Sequence, residues 1–187
     1  MNGPTSGAIT NFLLKKHIRL WLAINHHLHT SHGSGILHVK PSTIFFWLLL
    51  LDRLNTRNLL GRKRFELPSY SCVTINCPEE ETLVHLFLSC PFVEACWDYI
   101  CPQRTRNLAV WEALSDIREK IQQPFAMDII ILAAWSIWIV RNNKLFRNER
   151  PRFASWKAIY FQELRLMNFR MKKKHAESFR EWLQSQI

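Results

Sequence analysis

The sequence predicts a mainly α-helical protein in which β-strands are at most minor. Three observations support this. Only five of the 187 residues are glycine, apolar residues recur at helical spacing, and no segment alternates convincingly with a period of two. With 48% hydrophobic residues, eight Trp and twelve Phe, the chain can bury a substantial core and should not be disordered over most of its length. The length suggests one domain with room for an appended segment.

Residues 1–40 are predicted to be a poorly defined, partly helical segment. Apolar residues after Thr10 recur at helical spacing, and six of the eight histidines fall in this range. His26, His29 and His32 are three residues apart, so a second metal site is conceivable. Because His32 lies in the flexible stretch SHGSG, solvated histidines are the favoured interpretation.

Residues 41–105 carry the one constellation with a defined chemistry. Three cysteines and a histidine follow the spacing Cys-x4-Cys-x7-His-x4-Cys, and they are Cys72, Cys77, His85 and Cys90. Three thiolates and an imidazole are a preferred tetrahedral set for Zn²⁺, and structural sites of this kind have no open position for a substrate. The spacing therefore predicts one structural zinc ion that contributes to folding. Ordinary buried cysteines are the alternative.

The neighbours of these residues leave some details open. Pro78 and the three glutamates after it resemble a helix start, which would place His85 on the first turns of a short helix and Cys90 near its end. Pro78 also has no N–H to donate to a sulfur atom, which predicts a weaker site. Cys96 falls on an apolar helical face and is assigned to the core, while Cys101 is a weak alternative ligand.

Cysteine usage and hydropathy predict an intracellular protein, in the nucleus or the cytoplasm. Five cysteines without an evident secretory signal indicate a reducing compartment. The two apolar runs, 44–51 and 129–140, fall short of the roughly 20 residues that a membrane span needs. We therefore expect buried helices and no span, and the sequence does not indicate an oligomeric state.

Residues 106–150 are predicted to continue the helical fold, and residues 151–187 to form a long basic amphipathic helix. Apolar residues from Val110 to Ile121 follow a period of 3.6, and a Gln-Pro pair ends that element. Farther on, apolar residues recur at intervals of three, four and eight. They are Phe153, Trp156, Tyr160, Leu164, Met167, Met171, Phe179 and Trp182.

Basic charge is concentrated in the last quarter of the chain. Residues 141–187 hold twelve Lys/Arg against four Glu, a net charge of +8 out of +10 for the whole chain. This predicts weak, salt-sensitive, non-specific binding of RNA or DNA, although a solvated helix face would have the same composition. The candidate phosphate contacts are Arg141, Lys144, Arg147, Arg150, Lys172, Lys173 and Lys174.

Five aromatic residues lie among these charges. They could stack on bases if they are exposed, but their helical spacing favours the core. They are Phe146, Phe153, Trp156, Tyr160 and Phe169.

Three stretches that occur in one order carry a family likeness: Asp52–Arg57, Glu81–Pro91 and Trp135–Phe146. Together they resemble the zinc-binding domain at the C-terminal end of reverse transcriptases of non-LTR (LINE-type) retroelements, which are abundant in plant genomes. The resemblance covers about residues 45–146. It implies a zinc ion held by the three cysteines and the histidine named above, and a role in gripping template RNA or target DNA within a parent polyprotein. The chain departs from the family in its longer first Cys–Cys link and in Pro78, which replaces a glycine.

We do not expect an enzyme. A polymerase needs paired aspartates for its metal ions, and this chain has four widely separated ones, Asp52, Asp98, Asp116 and Asp128. It also lacks a glycine-rich phosphate loop and a recognisable nucleophile motif. The sequence therefore predicts a non-catalytic zinc-binding domain, as a detached fragment or a standalone domain. The alternative is a structural or protein-interaction helical domain, a retroelement remnant with no nucleic-acid role.

Overall fold

Helices dominate the computed structural model, which describes residues 40–74 and 77–186. In order they are α1 (Pro41–Leu50), α2 (Arg57–Arg62), a π-helical turn (His85–Ser89), α3 (Pro91–Ile100), α4 (Val110–Ile121), α5 (Ala126–Arg147), α6 (Phe153–Asn168) and α7 (Lys173–Ser185). Within these two ranges, β pairing is limited to an isolated antiparallel bridge between Ser71 and Glu80. The prediction of a mainly α-helical fold is confirmed.

The helix and the histidine cluster predicted before residue 40 lie outside the described residues. Residues 39–187 form one unit, so the boundaries predicted at residues 105 and 150 fall inside it and stay predictions.

Helix α5 is the central element, because α1, α3, α4 and α6 all pack against it. Its apolar residues are buried on several sides, and they include Ile129, Ile130, Ala133 and Ile137. By length and composition α5 could cross a bilayer, but much of it is buried among the other helices. That arrangement is the usual one for a core helix.

Four aromatic rings join α1, the π-helical turn and α5. Phe45 of α1 lies 5.3 Å from Trp135 and 5.9 Å from Trp138, measured between ring centroids. Phe87 of the π-helical turn lies 5.8 Å from Phe45 and 6.3 Å from Trp138. Offset aromatic packing of this kind adds about 0.5–1.5 kcal/mol per pair beyond area burial. The cluster therefore explains why the two tryptophans are three residues apart on α5.

The helix start predicted at Pro78 is wrong, because residues 78–82 are not helical. Backbone groups there pair with an earlier segment of the same chain. The N–H of Cys72 donates to the carbonyl of Glu79 (2.7 Å), and the N–H of Glu81 donates to the carbonyl of Tyr70 (2.9 Å). Helical structure begins only after Thr82, whose Oγ1 accepts a hydrogen bond from the N–H of His85 (3.1 Å). A threonine cap, and not the proline, sets this start.

The single C-terminal helix predicted for residues 151–187 is also wrong, because the chain breaks between α6 and α7. Trp156, Tyr160, Leu164 and Met167 form the buried stripe of α6. Phe179 of α7 is fully buried against Phe125, with ring centroids 5.0 Å apart. The turn at 169–172 lets α7 pack back on α6, whereas one straight helix would carry Phe179 away from this contact.

Candidate metal centre

Three cysteines and a histidine converge on one point. The ligand atoms of Cys72, Cys77, His85 and Cys90 all lie within 4.8 Å of one another. The sulfur atoms of Cys72 and Cys90 are 3.8 Å apart, and Cys77 Sγ lies 3.1 Å from His85 Nε2. Zn–S bonds of about 2.3 Å at tetrahedral angles would place two sulfur atoms about 3.8 Å apart. The arrangement fits a four-coordinate metal ion with little adjustment.

Local structure brings the four side chains together from three elements. Cys72 and Cys77 lie between Ser71 and Glu80, which an isolated bridge joins. His85 begins the π-helical turn, and the N–H of Cys90 donates to the His85 carbonyl (2.9 Å) at its end. Cys90 is also the residue that precedes α3. All four are at least nine-tenths buried, which excludes solvent from the site.

Thr74 contacts two of the four candidate ligands and is not among the residues predicted from the sequence. Its Oγ1 lies 3.1 Å from the sulfur of Cys72 and 3.2 Å from that of Cys90, and the residue is buried. A hydroxyl in this position can donate to a metal-bound thiolate and so orient it. The Thr74 hydroxyl supplies a hydrogen-bond donor near the sulfur atoms, whereas Pro78 has no N–H to donate. The Cys-x-Thr spacing alone gave no signal, because a threonine in a turn is usually explained by local backbone bonding.

The thiols of Cys72 and Cys90 form a coupled pair. The pKa of Cys90 is lowered to about 5, chiefly because the Cys72 thiol donates to it, with further help from Thr74 and from the backbone N–H groups of Phe92 and Val93. The pKa of Cys72 is raised, first by its hydrogen bond with Cys90 and then by burial. A metal ion bound by both sulfur atoms must displace the proton of this hydrogen bond.

The two remaining cysteines lie outside this group. Cys96 is fully buried on α3, and its Sγ donates to the carbonyl of Phe92 (3.2 Å). Burial, followed by the charge of Cys90, raises its pKa well above the usual range. Cys101 is also buried, and burial raises its pKa too. Neither belongs to the metal-binding group found among the described residues.

A buried ion pair ties the metal-binding segment to α5. Glu81 is fully buried, and its carboxylate accepts from Arg141 Nη2 (2.5 Å) and Nε (3.3 Å). The same carboxylate accepts from the backbone N–H of Arg57 (3.0 Å), while Arg141 Nη2 also donates to the carbonyl of Asn55 (3.2 Å). The guanidinium lies 4.7 Å from the ring centroid of Trp138. The three stretches that carried the family likeness thus meet at this carboxylate.

This pair removes Arg141 from the candidate phosphate contacts. Its side chain is only 5% exposed and its charge is matched by Glu81, so it cannot reach a ligand at the surface. Glu81 pairs with Arg141 and does not lie in the first turn of a helix, where the helix dipole would have favoured its charge. The other candidates lie at the surface: Lys144 and Lys172 are half-buried, and Arg147, Arg150, Lys173 and Lys174 are exposed.

The five candidate stacking residues divide into two groups. Trp156 and Tyr160 are fully buried and stack on each other, with centroids 5.1 Å apart. Phe153 is 37% exposed and packs against Tyr99 and Trp156. Phe146 and Phe169 are exposed by 80% and 84%. Of the five candidates, only Phe146 and Phe169 expose enough of the ring to stack on a base.

Replacing Thr74 with valine is expected to lower zinc affinity by roughly 10- to 100-fold, the usual cost of losing a second-sphere partner. Valine keeps the shape but has no hydroxyl to donate to either sulfur atom. Competition with a chromogenic chelator measures the affinity. Thr43→Val, the same chemical change on α1, is the matched control. Equal affinities for the Thr74 variant and the control would show that the hydroxyl does not support the site.

Comparison with known proteins supports the metal assignment. Residues 36–97, about a third of the chain, match the family model described as zinc-binding in reverse transcriptase. No curated protein matches the chain, and neither does any solved structure. The matched range contains all four side chains that could hold a metal ion, as well as Glu81 and Thr74. Over residues 36–97, the chain is therefore similar to the reverse-transcriptase zinc-binding family.

Proposed function

We propose that the protein is a non-catalytic domain stabilised by one zinc ion, and that it binds RNA or DNA weakly and without sequence preference. We further propose that it derives from the reverse transcriptase of a plant LINE-type retroelement. The observation that carries the proposal is the convergence of three cysteines and a histidine within 4.8 Å, inside the range that matches the zinc-binding family. A zinc ion with four protein ligands has no open position for a substrate, which favours a structural role.

The nucleic-acid part of the proposal rests on surface charge. Arg147, Arg150, Lys173 and Lys174 are exposed, and none of them takes part in an ion pair within the described ranges. Unpaired cations of this kind attract a polyanion through its phosphates and release counterions on binding. Such contacts carry no sequence information, so we expect similar affinities for different sequences.

Salt dependence is the test of this part. If the four exposed cations and the half-buried Lys144 and Lys172 all contact phosphates, raising the salt from about 50 to about 200 mM should weaken binding on the order of 10³-fold. Fluorescence anisotropy with a labelled oligonucleotide measures the change. Lys173→Gln/Lys174→Gln should reduce the slope of the salt response, whereas Arg53→Gln/Arg118→Gln removes the same charge elsewhere and should leave the slope unchanged. A flat response in the unmodified protein would contradict phosphate binding.

A structural or protein-interaction role is the second candidate. Ile44 and Trp47, three residues apart on α1, are 48% and 38% exposed. Neighbouring apolar side chains at the surface are typical of a face that another protein covers. This candidate predicts no nucleic-acid binding at about 50 mM salt, where the first candidate predicts its tightest binding.

A further inference from the structure

The three most exposed large apolar side chains in the described part of the protein share one feature. They are all phenylalanines, and each is next to an arginine in the chain: Arg64-Phe65, Phe146-Arg147 and Phe169-Arg170. The rings are 57%, 80% and 84% exposed. We call these residues the three Phe–Arg pairs. A single exposed apolar residue is ordinary at a protein surface, so the recurring combination of ring and cation is the informative observation.

Hydrogen bonds and packing fix the backbone of the loop that carries the first of these rings, Phe65. Phe65 lies in the loop after α2, where Tyr70 Oη donates to the Phe65 carbonyl (2.9 Å). The ring of Tyr70 packs so closely on Gly61 that a Cβ at that position would lie 2.8 Å from it. The N–H of Phe65 is also used, because it donates to the carbonyl of Leu60 (3.0 Å). The loop around the first Phe–Arg pair is therefore fixed by hydrogen bonds and packing.

The other two rings are held at helix ends. Phe146 is in the last turn of α5, where Lys144 Nζ donates to Asn148 Oδ1 (2.7 Å) and Asn143 Nδ2 donates to Glu149 Oε2 (3.1 Å). Phe169 directly follows α6, and the N–H of Arg170 donates to the carbonyl of Met167 (2.9 Å). Phe146 is therefore presented to solvent by the last turn of a helix, and Phe169 by the hydrogen-bonded turn that follows one.

We infer that the three Phe–Arg pairs bind single-stranded nucleic acid, each ring stacking on an unpaired base while the neighbouring arginine contacts a phosphate. The inference rests on the proposed nucleic-acid binding and specifies the class of ligand. Aromatic rings beside cations are the usual elements of single-strand recognition, because every base has a face on which a ring can stack. In a duplex those faces are covered by the neighbouring base pairs, so the exposed rings gain nothing there.

The scattered placement of the three rings favours this ligand over a lipid surface. Binding in the plane of a membrane needs a continuous apolar helix face, whereas these rings belong to three separate segments and each is next to a cation in the chain. Phe169, for example, is followed by Arg170 and then by Lys172, Lys173 and Lys174. Such a segment offers several phosphate contacts for each stacking ring.

The test compares ligands and variants of the full chain. A labelled single-stranded oligonucleotide of mixed sequence, the same sequence as a duplex, and vesicles containing phosphatidylserine are titrated at about 50 mM salt. The variant is Phe65→Ala/Phe146→Ala/Phe169→Ala, and the matched control is Ile44→Ala/Leu166→Ala, which removes exposed aliphatic side chains. Melting curves check that every variant is folded.

We expect the triple phenylalanine variant to lose at least tenfold in affinity for the single strand and less than twofold for the duplex, since each stacked base is worth roughly 5- to 150-fold. Tryptophan at the three positions should restore the affinity. Equal losses for single strand and duplex, or no loss, would overturn the inference but leave the proposed function standing. A loss confined to vesicles would overturn it in favour of lipid binding. No binding to either nucleic acid would overturn the proposed function as well.

Discussion

Removal of zinc with a chelator is expected to unfold the segment that carries Cys72, Cys77, His85 and Cys90. The described residues between 71 and 90 form one isolated bridge and one short π-helical turn, so few backbone hydrogen bonds stabilise this segment without the metal. Structural zinc in small domains contributes about 10–16 kcal/mol of apparent binding free energy, comparable to the whole stability of an ordinary domain. Far-UV circular dichroism and thermal melting, with and without EDTA, measure the effect.

Two cysteine variants make the chelator experiment specific. Cys90→Ser removes a ligand and should melt at the same low temperature with or without EDTA. Cys96→Ser is the matched control, because Cys96 is equally buried and serine can still donate to the carbonyl of Phe92. The control should remain sensitive to EDTA. An unmodified protein whose melting temperature does not change on chelation would contradict a structural role for the metal.

Affinity for zinc should also fall as the pH is lowered. Zinc must displace the proton that Cys72 and Cys90 share, as well as any on the other ligands, so protons compete with the metal. The same chelator competition, repeated at several pH values, measures this trend.

Breaking the buried pair between Glu81 and Arg141 is expected to lower the free energy of unfolding by about 3–5 kcal/mol. Glu81→Gln leaves the Arg141 guanidinium without its carboxylate, at a site where the two side chains are 0% and 5% exposed. Arg141→Met leaves the carboxylate uncompensated. Either loss is a large fraction of the stability of a small domain, and denaturant titration measures it.

A double variant separates the cost of one unpaired buried charge from the other effects of the two substitutions. Glu81→Met/Arg141→Met should be more stable than either single variant, because the cost lies mainly in leaving one buried charge alone. The exposed pair between Asp52 and Arg62 is the control, and Asp52→Asn should change stability by less than about 1 kcal/mol. If both buried single variants behave like this control, Glu81 and Arg141 do not hold the metal-binding segment against α5.

The mainly helical fold and the clustering of three cysteines with a histidine could be predicted because both depend on short-range pattern. The apolar period from Val110 to Ile121 matches α4 residue for residue, and Cys72 to Cys90 is a compact spacing with a known chemistry. Such signals lie within a few turns of the chain. They need no knowledge of what packs against them.

The errors arose where distant parts of the chain meet. Arg141 lies in a run of basic residues, and its burial depends on Glu81, which is sixty residues away. The break before α7 is set by the contact between Phe125 and Phe179, while the apolar spacing from Met171 to Phe179 also fits a continuous helix. The role of Thr74 depends on Cys90, sixteen residues later. A single sequence does not reveal these pairings.

The zinc content of the purified 187-residue chain tests the central claim most directly. Native mass spectrometry of the unmodified protein and of Cys90→Ser, both prepared without added metal, measures the zinc bound to each folded chain. We predict one zinc ion per chain in the unmodified protein and a loss of that zinc in the variant. An unmodified protein that is fully folded and free of metal would contradict the claim.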